Sequence, residues 1–281
     1  MSPVGWGLVL AAFSAMTTAA AHASVKSGND KLAVQAWVRL IGLVIALPVA
    51  VWTGLPPRSL VPLLVAAAGL HAVYQLTLSW SYSATDFTVA YPIARGIAPI
   101  ATALSAAVIL RELPGTAVMI SISIVSTGII ALAIGRSISR LGMAAAVMTG
   151  LLTTAYTVVD AQGMRMSPDA FKFIAWFFVL DGFSMPIAFV LLRKQDAWKQ
   201  FVADWGAGIV AGIMAPVSFV PALYALSLAP IGAVAAIRET SVLIGMLIGH
   251  RILREAVDRR RLIGAALIMV GALGIIGASL H

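Results

Sequence analysis

The sequence predicts an all-α integral membrane protein whose ten transmembrane helices form two inverted five-helix repeats. Three observations lead to this prediction: an apolar composition, ten long apolar runs and an internal repeat. Of the 281 residues, 60% are hydrophobic and only 11% are charged, whereas about a quarter of the residues in a soluble domain are charged. So few charges cannot cover the surface of a soluble protein of this size, which excludes a water-soluble enzyme.

Apolar runs separated by turn residues and charges predict the ten helices. A helix needs about 20 apolar residues to cross a bilayer, and Gly, Pro, Asp or basic residues mark each break, as they do at helix ends. The first run lacks the basic start of a cleavable signal and is predicted to remain as the first helix. The predicted helices cover residues 3–25, 32–53, 59–83, 86–109, 113–135, 139–164, 169–192, 201–228, 230–250 and 260–280.

An internal repeat divides the chain into residues 1–137 and 138–281. Residues 109–112 read Ile-Leu-Arg-Glu, and the same four residues recur at 252–255. In this register the fourth and fifth helices correspond to the ninth and tenth. Because each repeat holds an odd number of helices, the second copy must be inverted in the membrane. Inverted repeats are typical of secondary carriers, which bind substrate between the repeats near the membrane midplane.

Six Pro, Glu and Gly residues form a motif shared by the two halves: Pro99, Glu112, Gly128, Glu255, Gly264 and Gly271. This motif resembles the EamA-type repeats of the drug/metabolite transporter superfamily, and the resemblance covers the whole chain. Ser121 and Val242 depart from the pattern, where Gly and Pro are common. In its length and its short loops the chain is most similar to bacterial exporters of amino acids and related metabolites. The resemblance implies a multi-pass protein of the bacterial inner membrane, and export is implied by the resemblance alone.

Arg95 and Arg238 are related by the repeat and are the first candidates for substrate binding. Each lies two or three residues from the centre of its predicted helix, which places it within about 4 Å of the midplane. Charged residues at this depth face an aqueous cavity or a partner charge. A guanidinium is well suited to binding a carboxylate. The alternative is a structural ion pair with Asp160, Asp181 or Glu239.

Other polar side chains share helix faces that are predicted to line a cavity. His71, Tyr74, Gln75 and Tyr82 lie on one face of the third helix. Glu239 is a candidate for binding an ammonium group or a proton, with an ion pair to Arg95 as the alternative. The complete set of predicted substrate-binding residues is His71, Tyr74, Gln75, Tyr82, Tyr91, Arg95, Tyr156, Asp160, Tyr224, Arg238 and Glu239.

We therefore expect a secondary transporter that exports small zwitterionic metabolites by alternating access. Amino acids with aromatic or other apolar side chains fit best, with Arg95 or Arg238 binding the carboxylate and Glu239 or Asp160 the ammonium group. An organic-anion or nucleotide-sugar antiporter of the same fold is the alternative. The chain has no Cys and four scattered His residues, so neither an enzyme, a metal site nor a cofactor is expected. No ATP-binding motif is present.

The expected partners are a small-molecule substrate and the lipid bilayer, not nucleic acid. A monomer is expected, and Gly-x3-Gly pairs at 208–212 and 245–249 leave a homodimer open. Counting Lys and Arg in alternate loops gives twelve against four, which favours both termini outside the cell. Relatives in the family often have both termini inside.

Overall fold

The computed structural model describes residues 1–84, 87–132, 139–244 and 259–280, without the side chains of 22, 23, 26, 81–84, 87–92, 261 and 280. These parts contain helices and no strand, which confirms the all-α membrane fold. Within them, seven helical stretches are long and apolar enough to cross a membrane, and two shorter apolar helices cover Ile93–Ile109 and Thr116–Ala131.

The helices begin and end close to the predicted breaks. They are α1 Pro3–Ser27, α2 Lys31–Thr53, α3 Val61–Ala84, α4 Phe87–Ile109, α5 Thr116–Ala131, α6 Arg140–Met166, α7 Ala170–Asp181, α8 Ser184–Arg193, α9 Ala197–Ala203, α10 Trp205–Leu228, α11 Ile231–Glu239 and α12 Arg259–Leu280. Side-chain caps fix several starts, since Ser2, Asp30, Ser139 and Asp169 each accept a backbone N–H of the first turn.

The predicted seventh helix is not continuous, because α7 ends at Asp181 and α8 begins at Ser184. The Ser184 hydroxyl lies 2.6 Å from the Asp181 carbonyl oxygen and 3.1 Å from its carboxylate. Local side-chain bonds of this kind compete with the helical hydrogen bonds. The predicted ninth helix also changes at Thr240, whose N–H bonds three residues back to the Ile237 carbonyl. Such interruptions are tolerated at membrane depth where they are buried in protein or line a cavity.

Extensive helix contacts join the two halves of the chain. α1 packs along α10, α3 along α6, α2 along α7, α4 against α11 and α5 along α12. In the predicted numbering these pairs join helices 1 and 8, 3 and 6, 2 and 7, 4 and 9, and 5 and 10. The repeat relates each helix to the helix five places away in the chain. When every helix is replaced by its repeat-related helix, the same five pairs result. Two five-helix repeats would pack in this way, and the repeat boundary between 137 and 138 stays a prediction.

Glycines of the shared motif let α5 and α12 approach each other closely. A Cβ at Gly128 would lie 2.8 Å from the Gly264 carbonyl oxygen, and one at Gly271 would lie 2.7 Å from the carbonyl oxygen of Ser121. This part of the motif therefore serves helix packing. Glu255 lies outside the described residues.

The Gly208-x3-Gly212 pair packs inside the protein. A Cβ at Gly208 would meet the Trp37 ring, and one at Gly212 would meet Ile41. Both neighbours belong to α2, so this pair serves packing between α2 and α10. The second pair, at 245–249, lies outside the described residues.

Replacing Gly271 by Ala is expected to destabilise the protein by about 1–3 kcal/mol, because the added methyl group meets backbone atoms that cannot rotate away. Gly277→Ala on the same helix is the matched control, since no atom lies within 4 Å of a Cβ at that position. Thermal unfolding of the detergent-purified variants measures the difference. Equal midpoints for the two variants would contradict close α5–α12 packing.

Candidate functional site

A cavity of about 100 Å³ lies between the two halves of the chain. One water occupies roughly 10–15 Å³ of such space, so the cavity holds several waters or a small organic molecule. Its wall includes three guanidinium groups and one imidazole, from Arg39, Arg95, Arg238 and His71. Amide and hydroxyl groups of Gln35, Thr18, Gln75, Tyr74, Tyr156 and Ser218 complete the polar wall.

Two of the guanidinium groups are neutralised by carboxylates that lie behind the cavity wall. Arg39 Nη1 is 2.7 Å from Asp181 Oδ2, and Arg95 Nη1 is 2.9 Å from Glu239 Oε1. All four side chains are buried. The first pair joins α2 to α7 and the second joins α4 to α11, so each ion pair connects helices that the predicted repeat relates. The pairs therefore hold the two halves together beside the cavity.

Arg238 differs from the other two guanidinium groups because no carboxylate of the described residues lies within 4.0 Å of it. Its Nε donates to the Ser14 hydroxyl at 3.3 Å, and its guanidinium carbon lies 5.5 Å from the centre of the Phe219 ring. The side chain is only 8% exposed. A buried positive charge with neutral partners attracts an anion.

His71 and Asp160 form a third buried pair, with Nε2 and Oδ2 3.0 Å apart. Four rings surround the imidazole, with centroid distances of 4.0 Å to Tyr156, 4.8 Å to Phe177, 5.2 Å to Phe219 and 6.5 Å to Tyr74. His71 faces the cavity, whereas Asp160 lies behind it. Asp160 Oδ1 has no hydrogen-bond partner among the described residues, so His71 provides the polar contact of this carboxylate.

The structure brings most of the predicted site residues together. Those on the cavity wall are His71, Tyr74, Gln75, Arg95, Tyr156 and Arg238. Asp160 and Glu239 are the buried partners of wall residues. The Arg95–Glu239 pair is the alternative that the sequence left open for both residues. The side chains of Tyr82 and Tyr91 lie outside the described residues.

Tyr224, which belongs to the predicted substrate-binding set, is not part of the cavity wall. It follows Ser218 by six residues on α10. Six residues turn a helix by about 600°, so the two side chains point in different directions. Ser218 faces the cavity, while Tyr224 is 37% exposed and lies beside the ring of Phe171.

Sequence reasoning missed Arg39, although its signal was present. A single Arg inside the apolar run 32–53 is costly at membrane depth and marks a functional or paired position. The repeat-related position, Gly182, carries no charge, so the internal repeat does not point to Arg39. Its partner Asp181 is the residue next to that position.

Glu112 of the shared motif ties four helices together at one membrane face. Its carboxylate accepts the N–H of Ile231 at 2.6 Å and pairs with Arg165 Nη1 at 2.7 Å. Arg165 also donates to the Leu226 and Ala229 carbonyls. The carboxylate thus lies at the N-terminus of α11, where the helix dipole favours negative charge. This contact holds the ends of α4, α6, α10 and α11 together.

A second polar contact lies at the other end of the bundle, where it joins the loop after α1 to the start of α10. The Asp204 carboxylate accepts the backbone N–H groups of Asn29 and Asp30 at 2.7 and 2.8 Å, and Arg193 Nε lies 2.6 Å from Asp30 Oδ2. Partial burial acts to raise the pKa of Asp30, but the Arg193 guanidinium and the Leu32 N–H outweigh it and hold the pKa below its usual value. Both ends of the bundle are therefore tied in this structure.

Comparisons with known proteins agree with this architecture. Residues 140–277 match the sequence model of the EamA-like transporter family. A solved crystal structure of another protein superposes on 99% of this chain and on 97% of its own chain. The TM-score is 0.74 and the sequence identity is 16%. At this identity the likeness concerns the fold. The comparison with curated proteins gave no match. The second half of the chain is therefore similar to EamA-like transporters, and the apolar helices make the chain a multi-pass membrane protein.

Asp181→Asn is expected to destabilise the protein by about 3–5 kcal/mol, because it leaves the buried Arg39 charge without its partner. Arg238→Gln serves as the contrast, since it removes a buried charge that has no carboxylate partner among the described residues. We expect its thermal unfolding midpoint in detergent to equal or exceed that of the unchanged protein. A comparable loss in both variants would show that Arg238 is held by a structural charge.

Glu112→Gln is expected to loosen one end of the cavity, because Gln keeps the contact to Ile231 but removes the charge that binds Arg165. The pair is partly exposed, so the effect is modest, roughly two- to fivefold. The measurement is the labelling rate of Ser218→Cys by a water-soluble thiol reagent, in a chain that has no other Cys. Asp196→Asn, an exposed acid, is the control. Unchanged labelling in the Glu112 variant would refute this role.

Proposed function

We propose that this membrane protein transports small carboxylate-containing metabolites and that Arg238 binds the carboxylate. The observation that carries the proposal is the buried guanidinium of Arg238, which faces the cavity and has only Ser14 and Phe219 as described partners. A guanidinium binds a carboxylate through two parallel N–H bonds. The Arg39 and Arg95 charges are already balanced by Asp181 and Glu239, so they contribute less to net attraction.

The charge balance favours a cargo with one negative charge at the anchor. The Arg39 and Arg95 pairs are neutral. Arg238, His71 and Asp160 together carry at most one positive charge, which they reach when His71 is protonated. A phosphorylated or nucleotide-linked anion would bring more negative charge than this wall can balance. This argument favours carboxylates over the organic-anion or nucleotide-sugar alternative.

Amino acids remain within the proposal, and one observation favours them. Glu239 Oε2 has no hydrogen-bond partner among the described residues, so an ammonium group that reached it would gain an ion pair. The rings of Tyr74, Tyr156 and Phe219 provide an apolar surface for a side chain. Against this, no carboxylate of the described residues lies on the cavity wall. We therefore propose that the carboxylate is the recognised group and that the ammonium group is a secondary one.

Transport would proceed by alternating access, with the Glu112 and Asp204 contacts opening in turn. Each contact ties loops at one end of the bundle, and the ion pairs beside the cavity join the two halves. Export across the bacterial inner membrane rests on the family resemblance alone.

Pairs of substrates of nearly equal size distinguish recognition of the carboxylate from recognition of the ammonium group. Uptake of radiolabelled L-lactate and L-alanine into proteoliposomes compares a hydroxyl with an ammonium group at nearly equal size, and phenyllactate with phenylalanine does so for a larger side chain. Glucose 6-phosphate is the competitor that represents phosphorylated anions. The proposal expects saturable uptake of a carboxylate that glucose 6-phosphate does not inhibit. Uptake of none of the four, or inhibition by the phosphate, would contradict it.

Arg238→Gln is expected to weaken binding of the transported carboxylate by about 1.5–3 kcal/mol, the range for a hydrogen bond to a charged group. Arg95→Gln should alter the transport rate more than the affinity, because Arg95 is engaged with Glu239 across α4 and α11. Ligand-dependent thermal shift measures affinity, and proteoliposome flux measures rate. Equal losses of affinity in both variants would show that the anchor is assigned wrongly.

A further inference from the structure

We propose that His71 and Asp160 form a proton-binding site linked to carboxylate binding at Arg238, so that one proton crosses the membrane with each carboxylate. The linkage to cargo rests on the proposed function, whereas the proton site itself rests on the geometry of the pair. No covalent step is involved: a proton enters the pair from the water of the cavity and leaves to water on the other side.

The His71–Asp160 pair differs chemically from the two arginine pairs beside it. A guanidinium does not release its proton in a protein, so the Arg39–Asp181 and Arg95–Glu239 pairs keep a fixed charge. An imidazole exchanges a proton near neutral pH. His71 forms part of the cavity wall and Asp160 lies behind it, so the imidazole stands between the carboxylate and cavity water.

The enclosure of the pair makes its protonation state matter for the whole site. Both side chains are almost fully buried, and Tyr156, Phe177 and Phe219 pack around the imidazole. Asp160 Oδ1 has no described partner, so few hydrogen bonds stabilise a negative carboxylate there. Its charge must be balanced by a positive group, which is either protonated His71 or Arg238.

The charged and titratable groups around the pair come from six helices, whereas α10 contributes the uncharged Phe219 ring. They are Arg39 of α2, Tyr74 of α3, Arg95 of α4, Tyr156 of α6, Asp181 of α7, and Arg238 and Glu239 of α11. The two arginine pairs cancel, and the tyrosines carry no charge. Among these described groups Arg238 therefore keeps a charge that the protonation state of the His71–Asp160 pair leaves balanced or unbalanced.

The net charge of the site links proton binding at His71 and Asp160 to carboxylate binding at Arg238. With neutral His71, the negative Asp160 balances Arg238 and the site carries no net charge. With protonated His71, the site carries one positive charge, which a bound carboxylate cancels. A carboxylate at Arg238 therefore favours the proton, and by linkage the proton favours the carboxylate to the same degree. A hydroxy acid would move as a neutral pair with its proton, and its flux would not depend on membrane voltage.

The first test needs no cargo. Nuclear magnetic resonance of protein labelled at its four histidines follows each imidazole between pH 5 and 9, and the signal lost in His71→Gln identifies His71. Removing the positive charge of Arg238 with Arg238→Gln should favour the protonated imidazole, so the His71 signal should change at a higher pH than in the unchanged protein. Arg165→Gln, at the membrane face, is the control and should change that pH little. An unchanged midpoint in Arg238→Gln would overturn the linkage.

The second test measures the proton during transport. Proteoliposomes that contain a pH-sensitive dye should acidify when L-lactate enters, one proton for each lactate, and an imposed voltage should not change the rate. Protein-free liposomes correct for unaided permeation of lactic acid. The neutral double variant His71→Gln with Asp160→Asn avoids an unpaired buried charge, and the lactate uptake that it retains should lack the linked acidification.

The outcomes separate the two proposals. Lactate uptake without acidification in the unchanged protein would overturn proton coupling and leave the carboxylate site standing. Absence of uptake for every carboxylate tested would contradict the proposed function. The histidine measurement would still decide whether Arg238 controls a proton on His71.

Discussion

The cost of placing a charge inside the bilayer governs the arrangement of this protein. An ion moved from water to a low-dielectric interior loses several kcal/mol of solvation, which only a well-placed partner restores. Arg39 and Arg95 recover this cost from Asp181 and Glu239, which lie on helices of the other half of the chain. The ion pairs therefore fix how the two halves meet, and the cavity lies where they meet.

Interrupted helices place these charges. α7 ends at Asp181 and α11 ends at Glu239, so both acids lie at helix C-termini inside the bundle. The dipole at a helix C-terminus disfavours an acid, which makes the partner guanidinium more necessary at each position. Arg238 lies in the last turn of α11, where the same dipole favours a cation. This field helps a guanidinium remain charged without a carboxylate partner.

Much of the fold could be predicted from the sequence because bilayer thickness sets the length of an apolar helix, and the helix bounds moved by only a few residues. The breaks at Gly182 and Thr240 could not, since local side-chain and backbone bonds decide them inside an apolar run. At the site, the depth of Arg95 and Arg238 could be read from their place in the sequence. The ion-pair partner of each Arg could not be predicted, because Glu239 follows Arg238 in the chain but pairs with Arg95. Long-range packing determined that pairing.

The hydroxyl cluster of Thr18 and Ser218, which bond to each other between α1 and α10, has a consequence for the resting state. Under the predicted repeat, this helix pair corresponds to α3 and α6, which carry His71 and Asp160 instead. Two identical inverted halves would give the inward-facing and outward-facing conformations equal free energy by symmetry. Hydroxyls in one helix pair and an ionisable pair in the other remove that equality. Under the proposed alternating access, the unloaded carrier therefore has unequal free energies when it faces the two sides.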